Sequence, residues 1–272
     1  MQISVMSLFR DSEDYILRCL SDLEKLMSNT DAEFEFFFYE NDSVDNTRNI
    51  LKEWISDKEG ILVHEDLGNP RFGSISSSER FRYMSYYRNR LLLECKPIFS
   101  DYTILLDSDV IIDTDLVNKY MEFMSEDVAM LTSNTVQNIN CKMSNSNEPS
   151  YYDSIILFDK DNNHCMTWAS NPFYRKQDRD LWDQGHPVEV NSAFAGAAMI
   201  KSKILNLVSW DTKGNVEHQI FCDMVNSHGK ILCIPSIINN VVIDDKILMS
   251  ITEDHYDNVV NFQKNKFNII NR

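Results

Sequence analysis

Two aspartates one residue apart, Asp107 and Asp109, follow the unbroken run Thr103-Ile-Leu-Leu106. Such a run reads as a strand buried on both faces, so the pair sits where that strand leaves the sheet. In an open α/β sheet, ligands collect outside the carboxyl ends of the strands. Two carboxylates held together there repel each other and lose hydration, so a cation is the natural group to stabilise them. Their oxygens suit Mg²⁺ or Mn²⁺, with phosphates filling the remaining coordination positions. The expectation is a metal–diphosphate site. Helix capping is better assigned to Asp113 or Asp115. An EF-hand loop from Asp107 fails, because Ile112 stands where glycine is required and Asn118 where a bidentate glutamate is required.

Other residues of suitable chemistry lie at element ends. Glu40-Asn-Asp42 opens a polar cluster running to Thr47, directly after the apolar stretch Glu35-Phe-Phe-Phe-Tyr39. Arg80, Arg82, Arg88 and Arg90 stand out in an acidic chain, on a helix that immediately precedes the Asp107 strand. Arg88 is expected to reach a phosphate held at that strand's end. Gly196 interrupts the small-residue run Ala193 to Ala198, which marks close approach by a ligand or another backbone. Glu217 and His218 fall in the first turn of an amphipathic helix, where a helix start meets solvent or a cleft.

The elements that must position these residues follow from periodicity. Ile3–Phe9 reads as a strand, then a helix over about 12–27 carries Ile16, Leu20, Leu23 and Met27 at helical spacing. A second strand at 35–39 precedes a helix capped by Asp42 or Ser43, with Ile50, Leu51, Trp54 and Ile55 inward. After Gly60 comes a third strand, Ile61–Val63. This β-α-β-α-β start predicts a parallel sheet with helices on its faces. Further on, the spacing predicts a helix over 79–95, the Asp107 strand, a helix near 115–124 and strands at 128–132 and 154–158. Residues 133–150 read as a surface loop, and 171–187 as a long lid or binding loop. Trp168, Phe173, Tyr174 and Trp182 there form either a sugar-stacking floor or core. Last come a strand around 190–200, a short helix over 202–208, a helix ended by Gly229 and a strand over 231–234.

The 272 residues suffice for one large domain. The net charge of −16 argues against nucleic acid or anionic membranes as partners. The six cysteines have no paired spacing, which argues against a zinc site or a secreted disulfide framework and for a reducing compartment. No apolar stretch reaches membrane-span length, and Met1 to Leu8 lacks a basic signal-peptide start. A cytoplasmic protein is expected; oligomeric state is not indicated.

Taken in order over about 3–235, these features resemble nucleotide-sugar glycosyltransferases of the GT-A fold. The resemblance rests on Glu40-Asn-Asp-Ser-Val-Asp-Asn-Thr47, Asp107-Ser-Asp109, the Gly196 strand, Glu217-His218 and Gly229-Lys-Ile-Leu-Cys-Ile-Pro235. Tyr39 to Thr47 together with Tyr87-Arg-Asn89 is similar, more narrowly, to the fungal capsule-associated α-1,3-mannosyltransferase family. The resemblance implies a Rossmann-like α/β fold with a mixed, mostly parallel sheet and helices on both faces. It implies a nucleotide-binding half over about 1–112, an acceptor half over about 113–245 and a tail over 246–272. It also implies transfer of a hexose from a GDP- or UDP-sugar to a glycan or glycoprotein. By that likeness Asp107 and Asp109 hold Mn²⁺ or Mg²⁺, with His255 the candidate for a further ligand. Glu40 and Asp42 lie beside the nucleoside, and Gly196 leaves room for donor sugar or acceptor. Glu217 is the candidate base of an inverting enzyme, although the family's frequent Glu-Asp pair is Glu-His218 here. In a retaining enzyme Glu217 binds acceptor only. Two other readings are a non-catalytic nucleotide-sugar or glycan-binding domain and a sugar nucleotidyltransferase. The absence of glycine from Phe9-Arg-Asp-Ser-Glu13 counts against the last.

Overall fold

The structure is a computed structural model and describes residues 1–72, 77–137, 149–165, 169–213 and 216–241. The first half alternates as the apolar periods predict. Its elements are β1 (Gln2–Phe9), α1 (Glu13–Asn29), β2 (Glu33–Asn41), α2 (Thr47–Ile55), β3 (Gly60–Glu65), α3 (Ser78–Cys95) and β4 (Tyr102–Asp107). All four strands are parallel, with β1 between β2 and β4 and β3 outside β2. The chain therefore builds outward from β1 to β3 and then returns to the other side of β1. At that reversal the connections leave in opposite directions and open a crevice at the carboxyl ends of β1 and β4.

The second half supplies β5 (Val110–Ile111), α4 (Leu116–Phe123), β6 (Val128–Gln137), β7 (Ser150–Tyr151) and β8 (Phe158–Asp159). It continues with α5 (Lys176–Asp183), β9 (Val188–Ser192), β10 (Ala197–Lys201), α6 (Ser202–Leu205), α7 (Glu217–Asn226) and β11 (Lys230–Val241). The main sheet runs β3-β2-β1-β4-β10-β6-β11-β9-β8. β10 is antiparallel to both β4 and β6, whereas β11 is parallel to β6. The result is an α/β fold with a mixed sheet and helices on both faces.

Alternation along each strand sends side chains to two cores. Ile3 and Val5 of β1, Phe36 and Phe38 of β2, and Ile104 and Leu106 of β4 pack with α1, α2 and α4. Met6, Phe37, Tyr39 and Leu105 point the other way, against α3, α5, α6 and α7. Asp107 has the parity of Leu105, so its carboxylate leaves the sheet on the α3 and α7 side. The charged Glu217 and Arg88 are brought there by the apolar residues of the same helices: Tyr87, Leu91 and Leu92 of α3, and Phe221, Cys222 and Val225 of α7, are all buried in that core.

Several expectations are corrected. The helix after β2 begins at Thr47 with Asn46 at its N-cap, so neither Asp42 nor Ser43 caps it. Both are drawn elsewhere: the Asp11 amide donates to Ser43 Oγ, and the Leu67 and Gly68 amides donate to Asp42 Oδ1 at 2.6 and 2.7 Å. The strand expected at 154–158 is a 3₁₀ turn over Ser154–Ile156, followed by the two-residue β8. The expected lid over 171–187 contains α5, and Phe173, Tyr174 and Trp182 are buried in the core, so the packing alternative holds for them. The small-residue run at 190–200 is two strands, β9 and β10. Residues 133–137 extend β6 instead of beginning a loop. Five cysteines are buried free thiols. Cys141, Trp168, His255 and the tail 246–272 lie outside the described residues.

The turn from α2 into β3 depends on Gly60, whose φ is +143° and whose added Cβ would lie 2.0 Å from the Phe36 carbonyl oxygen. Gly60→Ala is expected to destabilise the protein by at least about 2 kcal/mol. Urea unfolding monitored by circular dichroism checks this, with an unchanged midpoint as the contrary outcome.

Candidate active site

A cleft of about 190 Å³ opens at the carboxyl ends of β1 and β4. Its wall includes Asp107, Ser108, Asp109, Arg80, Arg88, Glu217 and His218. Tyr15, Tyr152, Asp153 and Phe194 complete much of the rest. The structure thus brings together Asp107, Asp109, Arg88, Glu217 and His218 from positions up to 130 residues apart in sequence. Gly196 stands directly behind them: the Asp107 amide donates to its carbonyl at 2.8 Å. With φ of +67°, a Cβ on Gly196 would meet Val110 Cγ2 at 2.5 Å and Tyr152 Cε1 at 3.3 Å. A glycine is needed at that position by the protein's own backbone and neighbours, before any ligand is considered.

Arg88 is buried and ties the two sides of the cleft. Its guanidinium donates to Asp107 Oδ1 at 3.2 Å, and its Nε lies 4.0 Å from Glu217 Oε1. It also lies over the Phe194 ring, 5.2 Å from the centroid. Its neighbour Asn89 fixes the segment leading into α7 from both sides, donating to the Trp210 carbonyl at 2.6 Å and accepting from the Trp210 amide at 2.9 Å. Trp210 then stacks on Phe221 of α7 at 4.4 Å.

The carboxyls are held in unequal states. Burial and then the charge of Asp107 push Asp109 up to about 7. Burial also raises Glu217 against the opposing charge of Arg88, and its Oε2 is buried without a hydrogen-bond partner. Asp153, in a left-handed turn with φ of 65°, is raised well above the carboxylate range by burial, then by Asp107 and Glu217. His218 is held well below its ordinary value by burial, then by Arg88 and Arg80, and is therefore neutral. Its ring stacks on Phe194 at 4.0 Å, and Nδ1 accepts from Trp210 Nε1 at 3.4 Å. That bond assigns the remaining proton to Nε2, leaving no nitrogen lone pair facing the cleft.

Asp107 and Asp109 supply an all-oxygen donor pair in which burial and then mutual repulsion raise Asp109, as expected for a pair that a divalent cation would relieve. Among the described residues no cluster of three or more His, Cys, Asp or Glu side chains forms a complete metal-ligand set. A cation held by these two would leave coordination positions for phosphate oxygens.

Glu40 and Asp42 are not brought into this cleft. Glu40 is fully buried; the Ser43 amide donates to its Oε1 at 2.9 Å, and Arg48 pairs with its Oε2. Asp42 gathers the amides of residues 67–69. Burial raises Asp42, but these bonds and one from Asn41 outweigh it and leave the carboxyl lowered. Both carboxylates hold loops at the ends of β2 and β3.

Residues 4–195, more than half of the chain, match glycosyl transferase family 2. The chain belongs to that family. Among curated proteins, no sequence matches this chain. S. aureus TarS 1-349, solved in complex with UDP-GlcNAc, is similar with a TM-score of 0.55 at 15% identity, over 98% of this chain and 66% of that one. GalNAc-T7, solved with UDP, GalNAc and Mn²⁺, is similar with a TM-score of 0.56 at 15% identity, over 96% of this chain and 48% of that one. These likenesses establish the GT-A fold. The chain spans less than two thirds of the length of either structure. Among the described residues no helix is long and apolar enough to cross a membrane.

Sequence reasoning passed over Tyr15, Tyr152, Asp153 and Phe194, and it named Arg80 without giving it a role. Tyr152 and Asp153 follow a stretch without periodicity, so nothing local announces them.

Two measurements follow. Asp109 retains a proton in the fold that the unfolded chain releases near pH 4, so its contribution to stability is present below that pH and lost as pH rises through about 7. In metal-free buffer, the gain in unfolding temperature of Asp109→Asn over the parent is expected to be larger at pH 8 than at pH 5. A gap independent of pH would contradict this. Arg48 also pairs with Asp66, whose side chain is 74% exposed. Glu40→Gln is expected to cost about 2 kcal/mol and Asp66→Asn less than about 1 kcal/mol, measured by denaturant unfolding.

Proposed function

We propose that this chain transfers a hexose from a nucleoside-diphosphate sugar, a UDP- or GDP-sugar, to a hydroxyl of a glycan or glycoprotein. The observation that carries this reading is the cleft itself. In a family 2 chain, Asp107 and Asp109 face Glu217 across one pocket at the strand-order reversal. The UDP-bound TarS and GalNAc-T7 neighbours favour UDP as the nucleotide. Residues 1–112 would hold the nucleotide and 113–245 the acceptor.

Asp107 and Asp109 would hold Mn²⁺ or Mg²⁺, which when bound neutralises the charge of the departing nucleoside diphosphate. Arg88 keeps Asp107 in place and holds Glu217 Oε1 toward itself, which leaves Oε2 as the oxygen able to accept a proton. The acceptor hydroxyl gives its proton to Glu217 Oε2, and its oxygen bonds to the anomeric carbon. The bond from that carbon to the phosphate oxygen breaks, and its electron pair leaves with the diphosphate. This is a direct displacement with inversion. Burial raises the basicity of the Glu217 carboxylate, which suits it to general-base work near neutral pH. The neutral His218, with Nδ1 engaged by Trp210, positions the helix start and takes no proton.

Thermal unfolding against UDP-, GDP-, CDP- and dTDP-sugars, each with and without Mn²⁺, tests the reading. One nucleotide class is expected to raise the midpoint in a Mn²⁺-dependent way, and Asp109→Ala to abolish the shift. Glu217→Gln is expected to keep the shift and to lower transfer by about 10²- to 10⁴-fold. No shift with any nucleotide would overturn the assignment.

A further inference from the structure

Helix α3 presents four arginines, and three are engaged. Arg82 lies over the Tyr83 ring at 5.6 Å. Arg88 is buried between Asp107 and Glu217. Arg90 pairs with Glu65 at 2.8 Å and with Glu94. Arg80 lines the cleft beside Asp107 and Asp109, yet among the described residues no ion pair joins it to a carboxylate.

The position of Arg80 in the charge balance is central. The cleft gathers four carboxyls, Asp107, Asp109, Asp153 and Glu217, and two guanidiniums, Arg80 and Arg88. Its charge bears on Asp109, Asp153, Glu217 and His218 together, so the guanidinium stands among them and not at a distant rim. The backbone beneath it is fixed, because the Arg80 amide donates to the N-cap oxygen of Ser77 at 3.1 Å. Arg88 is already bonded to Asp107 and is walled in by Phe194 and Trp210. A half-buried guanidinium with an unpaired fork next to a carboxylate pair is suited to the bidentate grip of a phosphate.

We propose that Arg80 binds the phosphates of the donor diphosphate, while Arg88 is a positioning residue that holds Asp107 and Glu217. This deepens the donor-site reading above and rests on it. Arg80 reaches the diphosphate from α3, in the same cleft wall as Asp107 and Asp109. It offsets phosphate charge that the two aspartates would otherwise repel.

The test is titration calorimetry of UDP and GDP, and of uridine and guanosine, with Mn²⁺ present throughout. The proteins are the full chain and its Arg80→Ala, Arg80→Lys and Arg82→Ala variants. Arg80→Ala is expected to weaken the diphosphate that the parent binds by about 10- to 100-fold while leaving the matching nucleoside unchanged. Arg80→Lys restores part of the loss, and Arg82→Ala binds as the parent does. The inference is overturned if Arg80→Ala binds the diphosphate as tightly as the parent, or loses nucleoside and diphosphate equally. Failure of the parent to bind either diphosphate overturns the donor-site reading and this one with it.

Discussion

The buried Arg88 guanidinium is the interaction on which the cleft depends. A cation taken out of water is tolerated only beside compensating charge and polar partners, and removal of one partner leaves an uncompensated charge. Here the compensation comes from two elements that are far apart in the chain, Asp107 at the end of β4 and Glu217 at the start of α7. Arg88 therefore ties Asp107 to Glu217 across the cleft. Asn89, the next residue, secures the same junction by holding Trp210 from both its amide and its carbonyl. The aromatic contacts of Arg88 with Phe194 and Trp210 fill the space around the guanidinium, so water does not screen it.

The sheet makes that junction possible. The reversal of strand order between β1 and β4 opens the crevice, and the antiparallel β10 then closes one side of it. Ala197 and Ala198 lie against Leu106 and Leu105, close enough for the Asp107 amide to bond to Gly196. Asp107 is thus held from the backbone as well as from Arg88, an arrangement that leaves it little room to reorganise. Membership of glycosyl transferase family 2 and the GT-A likeness fit this construction.

Much of the architecture could be read from the chain, because hydrophobic period is a local property. The alternation of Ile3, Val5 and Met6, or of Phe36, Phe37 and Phe38, announces strands with two buried faces, and the structure gives each face a helical layer. β4 ends at Asp107 because the apolar run before the two aspartates stops there. The reading broke down for short elements. The 154–158 stretch has the apolar content of a strand but turns through a left-handed Asp153 into a 3₁₀ turn. α5 was hidden inside a polar segment in which Phe173, Tyr174 and Trp182 face the core.

The sequence by itself determined the sheet-and-helix order of the first half, the strand end that bears the paired aspartates and the arginine-rich helix beside it. Those features depend on residues within a few positions of one another. Tertiary structure alone decided how each charged group is used. Glu40 and Asp42 carry the chemistry of ligand-binding carboxylates, yet Arg48 and the loop amides engage them. Arg80 and Arg88 are the same residue type on one helix, and only one is already paired. Whether a charged side chain is engaged or available depends on partners brought near by folding, and a linear chain does not state those partners.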